Sequence, residues 1–251
     1  MGKYAELSKE LTGILRLRTL PVGIKLFKNN EKISDEFMMI DEECSVCQVI
    51  GKARYEEKAV AAEGKELTAC PVGCYSLGMC DPPPKLNDSA GKWGKTPESG
   101  MKQALDRMVI EKGTFRAMGV APLENILVEP DVIQIYGRPS QMMSLAYANA
   151  WDGGDKLELA TNGHGASCNE VLAVPHLSGK PRLAMADQGD RWHAWATEEE
   201  MIFGCSIADL KRLVPNLRES IQEGIYYPRN YPTLKLTYNP IWSARVYMGS
   251  K

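Results

Sequence analysis

The chain has 251 residues, of which 44% are hydrophobic and 25% are charged, and its formal net charge is -2. This composition is typical of a globular protein that buries a large core, so it excludes the small secreted domains that depend on disulfides. The Lys and Arg residues are scattered without a basic stripe, which disfavours nucleic acid as a partner.

The stretch from Met1 to Pro21 interleaves charged residues with leucines and lacks the apolar core of a signal peptide. No later window approaches the roughly 18 apolar residues of a membrane-spanning helix. We therefore expect a cytoplasmic protein without a membrane partner, in which the cysteines stay reduced. The seven cysteines form an odd number, which also argues against a fully paired disulfide framework.

Hydrophobic periodicity predicts helices and strands that alternate along the chain. Helices are expected over residues 4–15, 46–56, 71–79, 99–111, 140–153, 167–174 and 207–224. Strands are expected over residues 22–27, 58–62, 115–121, 132–137, 156–161 and 199–206. Ser140 is the expected N-cap of its helix, and Pro215 is expected to start a second segment within the last helix.

This alternation predicts an α/β fold with a mixed sheet and flanking helices. Residues 1–225 are expected to form a single domain, and residues 226–251, rich in Pro, Tyr and Trp, an extended tail packed on it. Three segments resemble three later ones in the same order, which predicts two duplicated halves at about 20–125 and 126–222. The pairs are "PVGIKLF" with "PDVIQIY", "KAVAAEGKELTAC" with "KLELATNGHGASC", and "FRAMGVAPLENIL" with "EEMIFGCSIADLKRL". This alignment makes Cys70 and Cys168 equivalent; chance similarity is the alternative explanation.

Five of the seven cysteines lie close together in the first third of the chain. Cys44 and Cys47 form a C-x-x-C pair, a spacing at which two thiolates reach one metal ion or one face of a cluster. Cys70 and Cys74 are one helical turn apart, and Cys80 follows them. A single cysteine is most often a small buried hydrophobe, but several thiols from two loops are typical of a metal site.

The second group has the spacing C-x3-C-x5-C, which is neither the usual second knuckle of a zinc site nor a ferredoxin pattern. Iron–sulfur clusters accept ligands from irregular loops, so we expect a cluster of the 4Fe-4S type, with zinc as the alternative. The expected ligands are Cys44, Cys47, Cys70 and Cys74, with Cys80 as a spare ligand. Thiol exchange through Cys44 and Cys47 without a metal also stays open.

The remaining two cysteines stand alone. Cys205 ends the apolar strand "MIFGC" and is expected to be buried. Cys168 lies in the Gly-rich turn "TNGHGASCNE" with His164 nearby, and such a turn presents backbone N–H groups to an anion or a thiolate to an electrophile. Cys168 and His164 are therefore candidate catalytic residues. A tight turn that uses its glycines only for their torsion angles is the alternative.

The segment "GDRWHAW" places His193 between Trp192 and Trp195, which indicates a packed or ligand-facing loop. One histidine among tryptophans is more often structural. The chain has no Walker-type phosphate loop, dinucleotide fingerprint, H-E-x-x-H motif or nucleophile elbow, so the usual nucleotide enzymes are disfavoured.

Four segments together resemble an uncharacterised prokaryotic family, domain-of-unknown-function family 169. They are "LRLRTLPVGIKLF", "ACPVGCYSLGMCDPP", "VAPLENILVEPDVIQIYGRPSQMMSL" and "GDRWHAWATEEEMIFGCSIADL". The resemblance covers residues 7–221 and is more secure at Cys70 and Cys168 than at the other cysteines. It implies a prokaryotic cytoplasmic protein, frequent in anaerobes, without an agreed reaction.

Three functional hypotheses follow. The first is an iron–sulfur protein of anaerobic metabolism that transfers electrons or assists redox chemistry on a small molecule. The second is a protein that binds a small anion at the Gly-rich turn near Cys168 and holds structural zinc. The third is a thiol enzyme that uses Cys168 with His164. The expected partners are a small-molecule ligand or a redox partner protein, and a homo-oligomer is left open.

Overall fold

The computed structural model describes residues 2–82, 94–161 and 163–225. It confirms the α/β class: one mixed sheet of eight strands is flanked by helices. The tail predicted over residues 226–251 lies outside the described residues. Among the helices of the described segments, none combines the length and the apolar character that crossing a membrane requires.

The strands and helices alternate as the periodicity predicts. The strands are β1 (Val22–Lys28), β2 (Met38–Met39), β3 (Val60–Glu63), β4 (Phe115–Pro122), β5 (Val132–Gly137), β6 (Glu158–Leu159), β7 (Arg182–Met185) and β8 (Met201–Cys205). The helices are α1 (Ala5–Leu15), α2 (Val46–Glu56), α3 (Pro71–Ser76), α4 (Pro97–Leu105), α5 (Pro139–Gly153), π1 (Ala166–Ala173), α6 (Val174–Ser178), α7 (Gln188–His193) and α8 (Ile207–Gln222). The element π1 is a π-helix that runs directly into α6.

The strand order is β2-β3-β4-β1-β5-β8-β7-β6. The outermost pairs, β2 with β3 and β6 with β7, are parallel, and every other neighbouring pair is antiparallel. Counted outward from the central β1–β5 pair, the first half runs β1, β4, β3, β2 and the second runs β5, β8, β7, β6. Each half therefore repeats the same connectivity, with β1 matched to β5 and β4 to β8.

This strand order corrects one of the three sequence alignments. The segment with Cys70 follows β3, whereas the segment with Cys168 follows β6, and the strand order matches β3 with β7 instead. The helix after β6 is π1, and its counterpart after β2 is α2. Cys168 therefore corresponds in topology to the first turn of α2, where Cys47 lies, and not to Cys70. Descent of the halves from one duplicated unit stays a prediction.

Two hydrophobic cores cover the two faces of the sheet. On one face, α2, α3 and π1 pack against alternate strand residues such as Ile24 and Tyr136. On the other face, α1, α5 and α8 pack against residues such as Ile135 and Phe203. The central strand β5 is buried on both faces, which explains why its sequence is almost continuously apolar. The helices α2, α3 and π1 therefore all begin on the first face of the sheet.

Two predictions about helix ends are wrong. Helix α5 begins at Pro139 with Arg138 at its N-cap, so Ser140 lies inside the first turn. Proline is favourable at this position because its missing N–H would have no partner there. Helix α8 continues through Pro215 without a second start. Its buried face, which packs into the second core, consists of Ile207, Leu210, Leu213, Val214, Leu217 and neighbouring residues.

Candidate functional site

Three helix starts meet on the first face of the sheet. Ser45 caps α2, and its hydroxyl accepts from the backbone N–H of Gln48 at 3.1 Å. Near the start of π1, the Ser167 hydroxyl lies 3.4 Å from the sulfur of Cys47, so the first turns of α2 and π1 are in contact. Helix α3 lies against both, since a Cβ added at Gly73 would fall 2.8 Å from Val46 and 3.5 Å from the Cβ of Cys168.

Five cysteines lie around the place where these helices begin, and we call them the cysteine row. Cys168 acts electrostatically on Cys47, and Cys70 acts on both Cys168 and Cys74. Cys80 acts on Cys74 through a side-chain hydrogen bond. The row (Cys47, Cys168, Cys70, Cys74 and Cys80) joins α2, π1 and the loop around α3. Cys74 and Cys168 share the first core, against which Cys70 and Cys80 pack, and Cys47 contacts Ser167 beside Cys168.

The three buried thiols of the row, those of Cys47, Cys74 and Cys168, favour their protonated form. Burial is the main cause that raises the pKa of Cys47, Cys168 and Cys74, and the neighbouring thiols raise it further. The Cys74 thiol also donates to the carbonyl oxygen of Gly64 at 3.4 Å. Cys70 and Cys80 are partly exposed. Because the nucleophile is the thiolate, buried Cys168 has the wrong environment for a reactive cysteine.

Cys44 belongs to the same core as Cys74 and Cys168, whereas Cys205 belongs to the core on the other face of the sheet. Burial and then the carboxylates of Glu66, Glu42 and Glu43 raise the pKa of Cys44 to about 11. Cys205 is fully buried in the second core, as predicted. The predicted ligand set of Cys44, Cys47, Cys70 and Cys74 stays a prediction; the backbone carbonyl of Cys44 accepts from the N–H of Ala69, the neighbour of Cys70, at 3.2 Å. Among the described residues, no three or more His, Cys, Asp or Glu side chains are already positioned to hold a metal ion.

A pair of aspartates, which the sequence analysis missed, borders the row. Asp187 caps α7, and its side chain accepts from the backbone N–H of Ala166 at 2.8 Å and of Asp190 at 3.0 Å. Asp190 is completely buried. Burial and the adjacent Asp187 raise the pKa of Asp190 to about 7. The signal for this pair is the D-x-x-D spacing at Asp187, which is that of a helix capping box.

Unpaired polar atoms surround this pair. One oxygen of Asp190, the hydroxyl of Tyr136 and the amide oxygen of Gln134 are buried and have no hydrogen-bond partner at acceptable geometry. The Gln134 amide nitrogen donates to the carbonyl oxygen of Ser167 at 2.6 Å. Asp190 raises the pKa of Tyr136, and the Ser167 hydroxyl lowers the pKa of both, which places these groups close together. Buried polar atoms are rarely unpaired, so this centre is specialised.

Arg54 closes the other side of this polar centre. Its guanidinium lies 3.5 Å above the ring of Tyr136. It donates to Glu200 at 3.1 Å, and both side chains are almost completely buried. It also donates to the hydroxyl of Thr19 and to the carbonyl oxygen of Ala194.

His164 lies at the edge of the site. Burial lowers its pKa, Asp187 raises it and Arg107 lowers it. Asp187 and Arg107 also act on Cys168, so the two predicted catalytic residues share these neighbours. Asn162 of the same turn lies outside the described residues. Their joint role in catalysis stays a prediction.

The comparisons with known proteins identify a family for this chain. The chain is 27% identical over 221 residues to an uncharacterised protein of Methanocaldococcus jannaschii, an alignment that covers 85% of this chain and 93% of the relative. No solved structure matches the chain. The model of the uncharacterised ArCR family matches residues 10–216, which is most of the chain. The resemblance seen in the sequence is confirmed, and the chain belongs to this family, domain-of-unknown-function family 169.

Proposed function

We propose that this chain is an iron–sulfur protein whose ligands are Cys70, Cys74, Cys80 and Cys168. The observation that supports this set is the packing of α3 on Cys168, since a Cβ added at Gly73 would fall 3.5 Å from the Cβ of Cys168. Cys74 and Cys168 belong to one core, and Cys70 and Cys80 pack against it. Four neighbouring thiols from two segments match the donor set of such a cluster. This set replaces Cys44 and Cys47 of the sequence-based prediction.

Burial is the main cause that raises the pKa of the Cys74 and Cys168 thiols, and neighbouring thiols raise it further. A bound metal ion deprotonates its cysteine ligands outright, so this shift is compatible with metal binding. The side chains have to turn toward one centre on binding, because no three of them are yet so placed among the described residues. Partial exposure of Cys70 and Cys80 gives the metal access from solvent.

The loop backbone between these cysteines is well fixed, which favours the proposal. Pro71 occupies the first turn of α3. Gly78 has a positive φ of 67°, and an added Cβ would fall 2.5 Å from the carbonyl oxygen of Ile110. A pre-formed loop loses less conformational entropy when its ligands are fixed. The cluster supplies one-electron redox chemistry, for a redox partner protein or a small molecule, in a protein of the cytoplasm.

Zinc is the second candidate because it accepts the same four thiolates. The thiol-enzyme hypothesis has less support, since burial raises the pKa of Cys168 well above its ordinary value. Zinc and iron are distinguished by elemental analysis.

The test is purification of the full chain without oxygen, followed by iron, sulfide and zinc analysis and an ultraviolet-visible spectrum. We expect iron with acid-labile sulfide in the natural protein. Cys70→Ala, Cys74→Ala and Cys80→Ala should each lose most of the metal because each removes one ligand. Cys44→Ala is the matched control and should keep it.

Three results would contradict the proposal. They are a natural protein without iron, one that holds zinc alone, and a Cys44→Ala variant that loses metal as completely as Cys70→Ala. The last result would support the sequence-based ligand set instead. Circular dichroism of each variant separates loss of a ligand from loss of folding.

A further inference from the structure

We propose that a cavity beside α2 binds a small methylated ammonium cation. The cavity has a volume of about 270 Å³ and opens between the exposed side of α2 and the segment that follows α7. Its lining combines an aromatic wall from α7 and the residues after it with a charged wall from α2 and the segment before it. The aromatic wall contains Trp192 and Trp195, and the charged wall contains Glu42, Glu43, Glu56 and Lys52.

The two tryptophans present their rings to the cavity instead of burying them. Trp192 is 70% exposed and Trp195 is 52% exposed. Trp residues usually bury their large apolar surface, so two adjacent exposed ones are typical of a binding site. Their faces carry the negative end of the ring quadrupole, which attracts cations.

The backbone at Trp195 is held in an unfavourable conformation. Its φ is 53°, in the left-handed region that bulky residues rarely adopt. The Tyr55 hydroxyl donates to its carbonyl oxygen at 2.7 Å, and Arg54 donates to the preceding carbonyl of Ala194 at 3.2 Å. The Tyr55 ring also meets the Trp195 ring edge to face, with centroids 5.5 Å apart. Strain of this kind is concentrated at functional sites.

Close packing fixes the position of this segment against α2. A Cβ added at Gly51 would fall 2.9 Å from the Cα of Ala194 and 3.2 Å from the carbonyl oxygen of His193. Only glycine allows this approach, and the shape of the cavity depends on it. The cavity is therefore a pre-formed feature of the fold.

The opposite wall is negatively charged. Three carboxylates, Glu42, Glu43 and Glu56, line the cavity with one ammonium group, that of Lys52. Lys52 lies 3.5 Å from Glu56, which neutralises that pair and leaves the other two carboxylates in excess. Glu43 also accepts from the Thr68 hydroxyl at 2.8 Å. The excess negative charge excludes anions and favours a cation.

The aromatic wall selects among cations. A methylated ammonium is large and weakly hydrated, so it gains from contact with ring faces, as aromatic cages for quaternary ammonium groups show. A methylated ammonium therefore fits both walls.

The test is isothermal titration calorimetry of the full chain with choline. The reference ligand is the neutral alcohol in which carbon replaces the ammonium nitrogen, because it has the same shape without the charge. We expect choline to bind in the millimolar range or more tightly, and the neutral alcohol to bind at least about tenfold more weakly. Absence of binding by choline, or equal binding of the two ligands, would overturn the proposal.

Variants locate the binding site. Trp192→Leu keeps an apolar side chain and removes the ring face, and Glu42→Gln removes one charge; each should weaken choline binding, the first by about tenfold. Trp151→Leu, on α5 at the other face of the sheet, is the matched control and should leave binding unchanged. Unchanged binding in Trp192→Leu would place the ligand elsewhere. Cys70→Ala should bind choline normally, so this test is independent of the metal proposal.

Discussion

Asp190 is a fully buried carboxyl group in a polar centre that lacks enough partners. Burial and Asp187 raise its pKa to about 7, so its protonated and ionised forms have similar populations near neutral pH. A protonated carboxyl donates a hydrogen bond, whereas an ionised one only accepts. The hydroxyl of Tyr136 and the thiol of Cys47 lie within electrostatic range of it. The proton on Asp190 thus changes the hydrogen bonding available to the cysteine row.

This shift makes stability depend on pH. An aspartate in the unfolded chain has a pKa of about 3.9, and that of Asp190 in the folded chain is about 7. Between these values the folded state holds a proton that the unfolded state has released, so rising pH lowers stability through this group. Asp190→Asn removes the titration and keeps an oxygen that accepts from the backbone N–H of Asp187. The melting temperature of Asp190→Asn relative to the natural protein should therefore rise between about pH 4.5 and pH 7.5.

Thermal unfolding by circular dichroism at both pH values measures this difference. Asp209→Asn is the matched control because Asp209 holds the same capping position in α8 and is partly exposed. Its effect should be the same at both pH values. A relative melting temperature of Asp190→Asn that stays constant or falls over this interval would contradict the assignment.

From the sequence, proximity can be predicted only for residues that lie close together along the chain. The short spacings of Cys70, Cys74 and Cys80 are local, and the structure keeps these residues together. The proximity of Cys168 to Cys70 depends on two helices that start at the same place on the sheet. The spacing of the cysteines along the chain does not indicate this proximity. The same holds for Asp190, whose burial is decided by strands and helices distant in sequence.

The helix π1 determines how the site is presented. Its wider turns bury four successive residues, Ala166, Ser167, Cys168 and Asn169, where an α-helix would turn some of them outward. The side chain of Asn169 donates to the carbonyl oxygen of Met108 at 2.7 Å. Ser167 therefore reaches Cys47 while Cys168 faces Cys70. Turns of this kind are frequent at functional sites.

The position of π1 depends on Gly204 in β8. A Cβ at Gly204 would fall 2.1 Å from the backbone carbonyl oxygen of Val171. Gly204→Ala should therefore push π1 off the sheet and lower the free energy of unfolding by about 1–3 kcal/mol or more. Urea denaturation followed by circular dichroism measures the change.

Gly13→Ala is the control for this prediction. Gly13 lies in α1, and an added Cβ there meets nothing within 4 Å. The substitution should raise stability by up to about 1 kcal/mol, since alanine favours the helix. A Gly204→Ala variant as stable as the natural protein would show that π1 can move away from β8 at little cost.

Elements with a strong period and a cap are predictable from the sequence. Helix α2 runs over Val46–Glu56 as predicted, because its apolar residues share one face and Ser45 provides a cap. The short strand β7 and helix α7 were missed, since four and six residues are too few to show a period. Strand β6 covers two of the six residues predicted for it. Its length is set by pairing with β7 and not by its own sequence.

At the scale of the whole molecule, the two halves meet at a narrow seam. Strands β1 and β5 pair over only three residue pairs, from Val22 with Gln134 to Ile24 with Val132. The buried ion pair of Arg54 and Glu200 connects α2 of the first half to the segment before β8 of the second. Arg54 is thus a fully buried polar connection across the seam, beside more exposed ones such as the ion pair of Lys25 and Asp131 at 3.3 Å.

Removal of one partner leaves the other charge buried and unpaired. Arg54→Met should therefore lower the free energy of unfolding by about 3–5 kcal/mol, measured by urea denaturation. The double variant Arg54→Met with Glu200→Gln should recover part of this loss, because neither side chain of the former pair then carries a charge. Both halves should still unfold in one transition, since they share two continuous cores.

Arg116→Met is the comparison for this prediction. Arg116 pairs with Glu63 inside the first half, and about a third of each side chain is exposed. Water screens such a pair, so its loss should cost at most about 1 kcal/mol. Equal costs for Arg54→Met and Arg116→Met would mean that the seam does not depend on its ion pair.

The fold class was predictable because strands and helices alternate along the chain, but the order of the strands was not. Pairing of β1 with β4 and β5 joins residues about a hundred positions apart, and no local pattern indicates it. The similarity of "PVGIKLF" to "PDVIQIY" did match two strands that hold the same place in each half. The similarity between the segments with Cys70 and Cys168 matched strands in different places, since short strand-loop-helix patterns resemble one another by chance.

The sheet finishes at each end in a strand of two residues, Met38–Met39 and Glu158–Leu159. A strand of another molecule could form only a few backbone hydrogen bonds with such a short edge strand. Short edge strands are a common protection against aggregation. Copies of this chain should therefore remain separate at the sheet borders even at high concentration. Among the described residues, surfaces of helices and loops are therefore the better candidates for self-assembly.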